Sequence, residues 1–78
     1  MKQRIGVECT FEKDGRVRVR RVEVDDRWLA VEQGRQWVDE IGRHVLIMVP
    51  GGDVQEILLS ANTLQWELVS RRSGTHFI

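Results

Sequence analysis

The feature that most constrains the fold is an alternation of apolar and polar residues, with a period of two, near the N-terminus. Its apolar positions are Ile5, Val7, Cys9, Phe11, Val17 and Val19. A period of two places successive side chains on opposite faces of a β-strand. The segment Lys13-Asp14-Gly15 interrupts the alternation and supplies a glycine for the left-handed position of a three-residue hairpin turn. The sequence therefore predicts a β-hairpin centred on residues 13 to 15.

The two faces of this hairpin select its register. A three-residue turn pairs Phe11 with Val17, whereas a two-residue turn would place Phe11 opposite Arg18. The same register predicts the further pairs Cys9–Val19, Glu12–Arg16, Thr10–Arg18 and Glu8–Arg20. We therefore expect the arginines to be paired across the strands on the solvent face.

The alternation breaks at Arg21, which occupies a position where the pattern requires a valine. In an unbroken register Val7 would face Arg21. One extra residue at Arg20-Arg21, a β-bulge, restores the apolar pairs Val7–Val22 and Ile5–Val24. Because a bulge bends its strand, the break predicts a sheet that coils tightly.

The remaining sequence is interpreted as strands separated by turns. Turns are expected at residues 25–27, 39–42, 50–53 and 61–64, between the segments "RWLAVEQ", "RHVLIMV", "VQEILLS" and "QWELVS". A helix capped by Asp25 or Asp26 is the alternative for residues 25–42, but Gly34 and the β-branched and aromatic content favour a strand. "RHVLIMV" is apolar on both parities, which predicts a central strand covered on two sides.

Loop lengths predict the register of the two later hairpins. A four-residue loop at 50–53 and a two-residue turn at Asn62-Thr63 give the pairs Val49–Val54, Leu46–Ile57, Leu59–Trp66 and Ile57–Leu68. These pairs bring apolar residues together, so they are mutually consistent with a meander.

The fold class predicted from this pattern is all-β: a small antiparallel meander of five to six strands, bent or closed as an SH3-like barrel. We expect residues 1–70 to form a single domain and residues 71–78 to form a C-terminal tail. An open sheet of this length would have exposed edges, which dimerisation can cover.

Composition limits the classes of partner and compartment. Twelve Lys and Arg balance twelve Asp and Glu, so the chain lacks the overall field that attracts polyanions or membranes. A single cysteine, Cys9, forms no internal disulfide, and the longest apolar run, "VLIMV", is too short to span a bilayer. We expect a cytoplasmic protein with no membrane partner.

Candidate groups for catalysis are sparse. Cys9 lies on the inward parity and is expected to be an inert core thiol. His44 is expected to neighbour Trp37 across the turn at 39–42 in a structural role. No spacing of ligands resembles a metal site, and "PGGD" lacks the residues of a phosphate loop. We therefore expect no enzymatic activity and no cofactor.

A surface for binding is the remaining possibility. The basic stripe (Arg16, Arg18, Arg20 and Arg21) and an exposed tryptophan are the elements with which small β-domains bind single-stranded nucleic acid. The candidate binding residues are Arg16, Arg18, Arg20, Arg21, Arg35, Trp37 and Arg43. Trp37 is the best candidate for an exposed interface anchor, although a core position is also open, and Arg21 is the arginine with no obvious opposite charge.

Three segments resemble a group of small uncharacterised bacterial domains of unknown function. They are "VEVDDRWLAVEQGRQW", "GRHVLIMV" and "VQEILLSANTLQWELV", the last ending in a strand with Trp-x-Leu. The resemblance covers residues 17 to 69 and implies a small β-rich cytoplasmic domain. It implies no catalytic residues.

Two functions remain after these arguments. The first is a non-enzymatic β-domain that acts by self-association or by binding a protein partner. The alternative is a module that binds single-stranded nucleic acid through the basic stripe and an exposed tryptophan.

Overall fold

A computed structural model describes residues 2–69 and shows an all-β protein, with no helix among these residues. The strands are β1 (Lys2–Arg4), β2 (Gly6–Phe11), β3 (Val17–Val24), β4 (Arg27–Ala30), β5 (Glu32–Asp39), β6 (Gly42–Met48), β7 (Val54–Ser60) and β8 (Trp66–Val69). They form a five-stranded sheet in the order β1-β8-β7-β6-β5 and a three-stranded sheet in the order β2-β3-β4. All pairings are antiparallel. The predicted tail at 71–78 lies outside the described residues.

The predicted number of five to six strands is wrong, because two long extended segments each change sheets. The first bends at Ile5, whose amide donates to the carbonyl oxygen of Trp66 rather than to a residue of β3. The second bends at Val31, between β4 and β5. Within the described residues the two sheets do not join into a closed barrel, so the closed form of the predicted fold is also wrong.

The first hairpin has the predicted register. Phe11 faces Val17 and Cys9 faces Val19, and Gly15 adopts the predicted left-handed conformation with φ of 90°. Past Cys9 the register shifts by one residue, because Arg20 is the extra residue of the bulge. The bulge therefore restores the pair Val7–Val22, as predicted.

Two expected pairs of this hairpin are wrong. Glu8 faces Arg21 rather than Arg20, because the register shift lies between Glu8 and Cys9, one residue closer to the turn than expected. Ile5 does not pair with Val24, because the chain has already turned toward β8 at that residue.

Residues 25–42 form strands and turns, so the helical alternative is wrong. Asp25 and Asp26 form a two-residue turn in which both residues are left-handed, with φ of 52° and 65°. Short polar side chains tolerate this conformation without glycine. The turn pairs Val22 with Leu29 and so places Trp28 on the opposite face, away from the core.

The two later hairpins differ in how well their register was predicted. Val54 pairs with Met48 rather than with Val49, and Ile57 pairs with Val45 rather than with Leu46. The pairs Leu59–Trp66 and Ile57–Leu68 are confirmed. The turn between β7 and β8 is longer than the two predicted residues, since β7 ends at Ser60 and β8 begins at Trp66.

Both sheets contribute to one core. The three-stranded sheet supplies the buried side chains of Val17, Val19 and Val22, and the five-stranded sheet supplies Val45, Ile47 and Ile57. Cys9 packs against this cluster, as its parity predicted, and so does Trp66. We call the opposite side of each sheet its outer face.

Two glutamine side chains bridge the sheets where their backbones do not pair. Gln36 accepts a hydrogen bond from the amide of Val17 at 3.0 Å, and Gln33 accepts one from the amide of Val19 at 2.7 Å. Both side-chain amides also donate to the carbonyl oxygen of Val17, at 2.8 and 2.9 Å. Side chains of β5 thus hydrogen-bond to backbone groups of Val17 and Val19 in β3, as the backbone of a neighbouring strand would.

Candidate functional site

The outer face of the three-stranded sheet carries most of the basic stripe, and its arginines are paired within the sheet. Arg18 contacts Glu12, with Nη2 and Oε2 2.7 Å apart, and Arg20 donates to the hydroxyl of Thr10 at 2.9 Å. Arg16 is exposed at the end of the stripe. Such surface pairs contribute little stability, but they reduce the uncompensated charge that a polyanion would contact.

Arg21 does have an opposite charge, so the expectation of an unpaired arginine is wrong. Its Nε lies 2.6 Å from Oε1 of Glu8, because the bulge brings these two residues opposite each other. The hydrogen bond and the positive charge of Arg21 lower the pKa of Glu8 below its usual value.

The exposed aromatic residue beside the basic stripe is Trp28 rather than Trp37. Its side chain is 46% exposed, and the guanidinium carbon of Arg21 lies 5.3 Å from the centre of its ring. The tip of the indole passes over Gly6, where a Cβ would lie 3.3 Å from Cη2. Glycine at this position therefore lets the ring lie across the sheet.

Trp37 lies on the other sheet and is half-buried. Its ring stacks on the imidazole of His44, with centroids 4.9 Å apart and planes 3° from parallel. Arg35 lies near the same ring, with its guanidinium carbon 5.4 Å from the centre. Trp37 and the basic stripe therefore do not form one surface.

Arg43 faces inward and connects the two sheets. Its guanidinium donates to the side chain of Gln36 and to the carbonyl oxygen of Gly15, both at 2.7 Å. The seven predicted binding residues thus lie in three places. The basic stripe belongs to the three-stranded sheet, Arg35 and Trp37 lie on the outer face of the five-stranded sheet, and Arg43 bridges the two sheets.

His44 lies between two carboxylates on the outer face of the five-stranded sheet. Nδ1 is 2.7 Å from Oε2 of Glu56, and Nε2 is 2.9 Å from Oδ1 of Asp39. The second contact is a close charge pair rather than a well-directed hydrogen bond, since Nε2 has no partner of hydrogen-bond geometry among the described residues. Carboxylates at both nitrogens fit the imidazolium, in which both nitrogens carry protons.

The pKa of His44 reflects two opposed effects. Burial by itself would lower it, but the carboxylates of Asp39 and Glu56 outweigh burial and raise the pKa above its usual value. The contact with His44 in turn lowers the pKa of Asp39. The two carboxylates lie at different nitrogens and do not converge on one point. No group of three His, Cys, Asp or Glu in residues 2–69 is arranged to hold a metal ion.

The thiol of Cys9 is half-buried against the core. Burial raises the pKa of Cys9, so the thiolate, which is the nucleophile, is disfavoured.

The outer face of the five-stranded sheet also carries apolar side chains on β6 and β7, beside His44 and Glu56. Leu58 is 2% exposed although it lies outside the core cluster. Farther along, Leu46 is half-buried, while Met48 and Val54 are 43% and 50% exposed. A strand covered on two sides was expected for β6; its outer side is buried at His44, which is 6% exposed, but it is open to solvent at Met48.

A shallow apolar hollow of about 160 Å³ lies on this outer face. It is lined by Gly34, Leu46, Met48 and Val54, and Glu32 borders it. Gly34 has no side chain to fill the space beside Leu46, whose Cβ is 3.6 Å from where a Cβ of residue 34 would lie. A second depression beside Met48 extends to Val31 and Pro50. The sequence argument did not find this surface, because it assumed that β6 was covered.

No helix in the described part of the chain is long and apolar enough to cross a membrane. A scan against protein-family models, a search of curated proteins and a search of solved structures each found no match. The resemblance to small bacterial domains stays a prediction.

Proposed function

We propose that this protein acts without catalysis, by binding a protein partner through the outer face of its five-stranded sheet. The observation that supports this most directly is the presence of two apolar side chains, Leu46 and Met48, on the outer side of β6. An antiparallel sheet that is covered on one side alternates apolar residues inside with polar residues outside. Here Leu46 and Met48 lie on the outside and continue to Val54 on the neighbouring strand.

The surroundings of this apolar surface also fit a protein interface. Charged side chains border it at Glu32 and Arg35, which are exposed, and at Glu56, which is half-buried. Interfaces between proteins commonly combine an apolar centre with a polar rim. Asp39, His44 and Glu56 connect β5, β6 and β7 on the same face, because they belong to these three consecutive strands and His44 contacts both carboxylates.

Site-specific photo-crosslinking in living cells tests this proposal. A photoreactive amino acid replaces Met48 in one variant and Thr10 in a matched control, since Thr10 is also exposed but lies on the outer face of the three-stranded sheet. We expect position 48 to form a covalent adduct with a protein and position 10 to form none. Equal adduct yields at the two positions, or no adduct at position 48, would contradict the proposal.

Binding of single-stranded nucleic acid is the second candidate function. It is supported by the exposed Trp28 beside Arg21, because a base can stack on an exposed indole next to a cation. It is the weaker candidate, since Arg21 and Arg18 already form ion pairs with Glu8 and Glu12, respectively.

Fluorescence anisotropy with a labelled oligonucleotide tests the second candidate. Binding should fall steeply with salt concentration and should weaken in the variants Trp28→Ala and Arg18→Glu. The variant Arg35→Glu, on the other sheet, should bind as the native protein does. Absence of binding at low salt excludes this candidate.

A further inference from the structure

We infer that the partner on the outer face of the five-stranded sheet is a second copy of the same chain, an inference that rests on the proposed function. The face carries both an exposed apolar side chain, Met48, and the apolar hollow beside Gly34, which Met48 borders. A two-fold interface uses the same surface on both subunits, so that surface must complement itself. An exposed apolar side chain on one copy and an apolar hollow on the other meet this requirement.

The strand register shows how the two copies fit together. Met48 pairs with Glu32, and the bulged residues Gly34 and Arg35 lie one row farther along, beside Leu46. Consider a two-fold axis that lies in the plane of the interface, runs perpendicular to the strands and passes over Gln33 and Ile47. Rotation about this axis exchanges these two rows between the copies. Each Met48 then lies over the hollow of the other copy.

The same axis brings opposite charges together. It places Glu32 of each copy over the row that holds Arg35 of the other. Both side chains are exposed, and Glu32 makes no ion pair within the described residues. The formal net charge of zero also means that two copies do not repel each other through their overall fields.

The size of the surface limits how tight this dimer can be. Three strands of seven residues cover roughly 14 Å by 23 Å of sheet, at about 4.8 Å between strands and about 3.3 Å per residue. An interface of that footprint belongs with the small, transient associations rather than with obligate dimers. We therefore expect a dissociation constant in the micromolar to millimolar range, of the order of 0.1 mM.

Sedimentation equilibrium over protein concentrations from about 0.01 to 1 mM spans this range and measures the association. The native chain should change from monomer to dimer, and Met48→Glu, which buries an unpaired charge, should weaken the dimer at least about tenfold. Thr10→Glu is the matched control and should leave the dimer unchanged. A native chain that stays monomeric throughout, or a Met48→Glu variant that dimerises normally, overturns the inference.

A charge exchange tests the orientation of the two copies. Glu32→Arg and Arg35→Glu should each weaken the dimer, because each places like charges opposite one another. The double variant restores opposite charges across the axis and should recover the affinity. A double variant that is weaker than both single variants overturns the two-fold arrangement.

The crosslinking experiment at position 48 separates the two proposals. A monomeric chain whose residue 48 crosslinks to a different protein contradicts the dimer and leaves the association surface in place. A monomeric chain with no adduct at that position contradicts both.

Discussion

At the scale of single residues, His44 is the group whose charge the structure most clearly specifies. It is buried, it contacts carboxylates at both ring nitrogens, and it stacks on Trp37. The folded state therefore holds the protonated imidazole more strongly than the unfolded chain does. Linkage then makes the stability of the fold depend on pH.

The first prediction concerns this dependence. Because the pKa of His44 is raised on folding, its contribution is complete below the ordinary histidine pKa of about 6.5 and is lost as pH rises through the higher folded-state value. Urea unfolding from about pH 5.5, below the ordinary histidine pKa, to about pH 9 should show the native protein losing stability relative to His44→Gln as pH rises. Asp39→Asn should show a smaller loss. Parallel curves for native protein and His44→Gln would show that His44 has no raised pKa.

The second prediction compares two glycines with positive φ. A Cβ at Gly42 would overlap the carbonyl oxygen of Leu59, whereas a Cβ at Gly51 would meet open space. Gly51→Ala should cost about 1 kcal/mol of unfolding free energy, the penalty of the left-handed conformation. Gly42→Ala adds a clash with backbone and should cost about 3 kcal/mol or more. Equal losses in denaturant titrations of the two variants would contradict this account.

At the scale of elements, register could be predicted where an error would have been costly. A slip in the first hairpin would place Phe11 opposite Arg18, so alternation and charge together select one pairing. A slip in the hairpin at 50–53 carries no such penalty, because Val49 and Met48 are both apolar partners for Val54. The observed turn, with left-handed Gly51 and Gly52, decides between them.

The third prediction tests the glutamine bridge between β3 and β5. Gln33→Ala removes the acceptor of the Val19 amide, and Gln36→Ala removes the acceptor of the Val17 amide. Each variant should lose about 1 to 3 kcal/mol, the cost of an unpaired backbone group that is removed from water. Hydrogen exchange followed by NMR should show each variant accelerating exchange at its own amide more than at the other. Each is therefore the control for the other, and equal acceleration at both amides would contradict a specific bridge.

At the scale of the whole molecule, the fold class was predictable, but the division into two sheets was not. Alternation and turns identify strands, yet Ile5 and Val31 lie inside extended segments and look like ordinary strand residues. The corner at Ile5 exists because β1 pairs with β8, which is distant in sequence. The corner at Val31 exists because the chain leaves its pairing with β3 and begins a new hairpin with β6. The candidate surface escaped prediction for a related reason. The outer parity of β6 is visible in the sequence, but whether another layer covers it depends on how the sheets close.

The last prediction follows from the shared core of the two sheets. Val22 belongs to the three-stranded sheet and Ile57 to the five-stranded sheet, and both are buried in one cluster. Because neither sheet has a core of its own, the two should unfold as one cooperative unit. Ile57→Ala should lose about 2 to 5 kcal/mol, and Val22→Ala about 2 kcal/mol.

NMR signals followed through a urea titration test this cooperativity sheet by sheet. In each variant the midpoint read from residues of the three-stranded sheet should equal the midpoint read from the five-stranded sheet. Val38→Ala is the control, since this side chain is 62% exposed and its loss should cost at most about 0.5 kcal/mol. Separate midpoints in Val22→Ala would mean that the five-stranded sheet stays folded without its partner. The corners at Ile5 and Val31 would then be hinges between two units rather than bends within one.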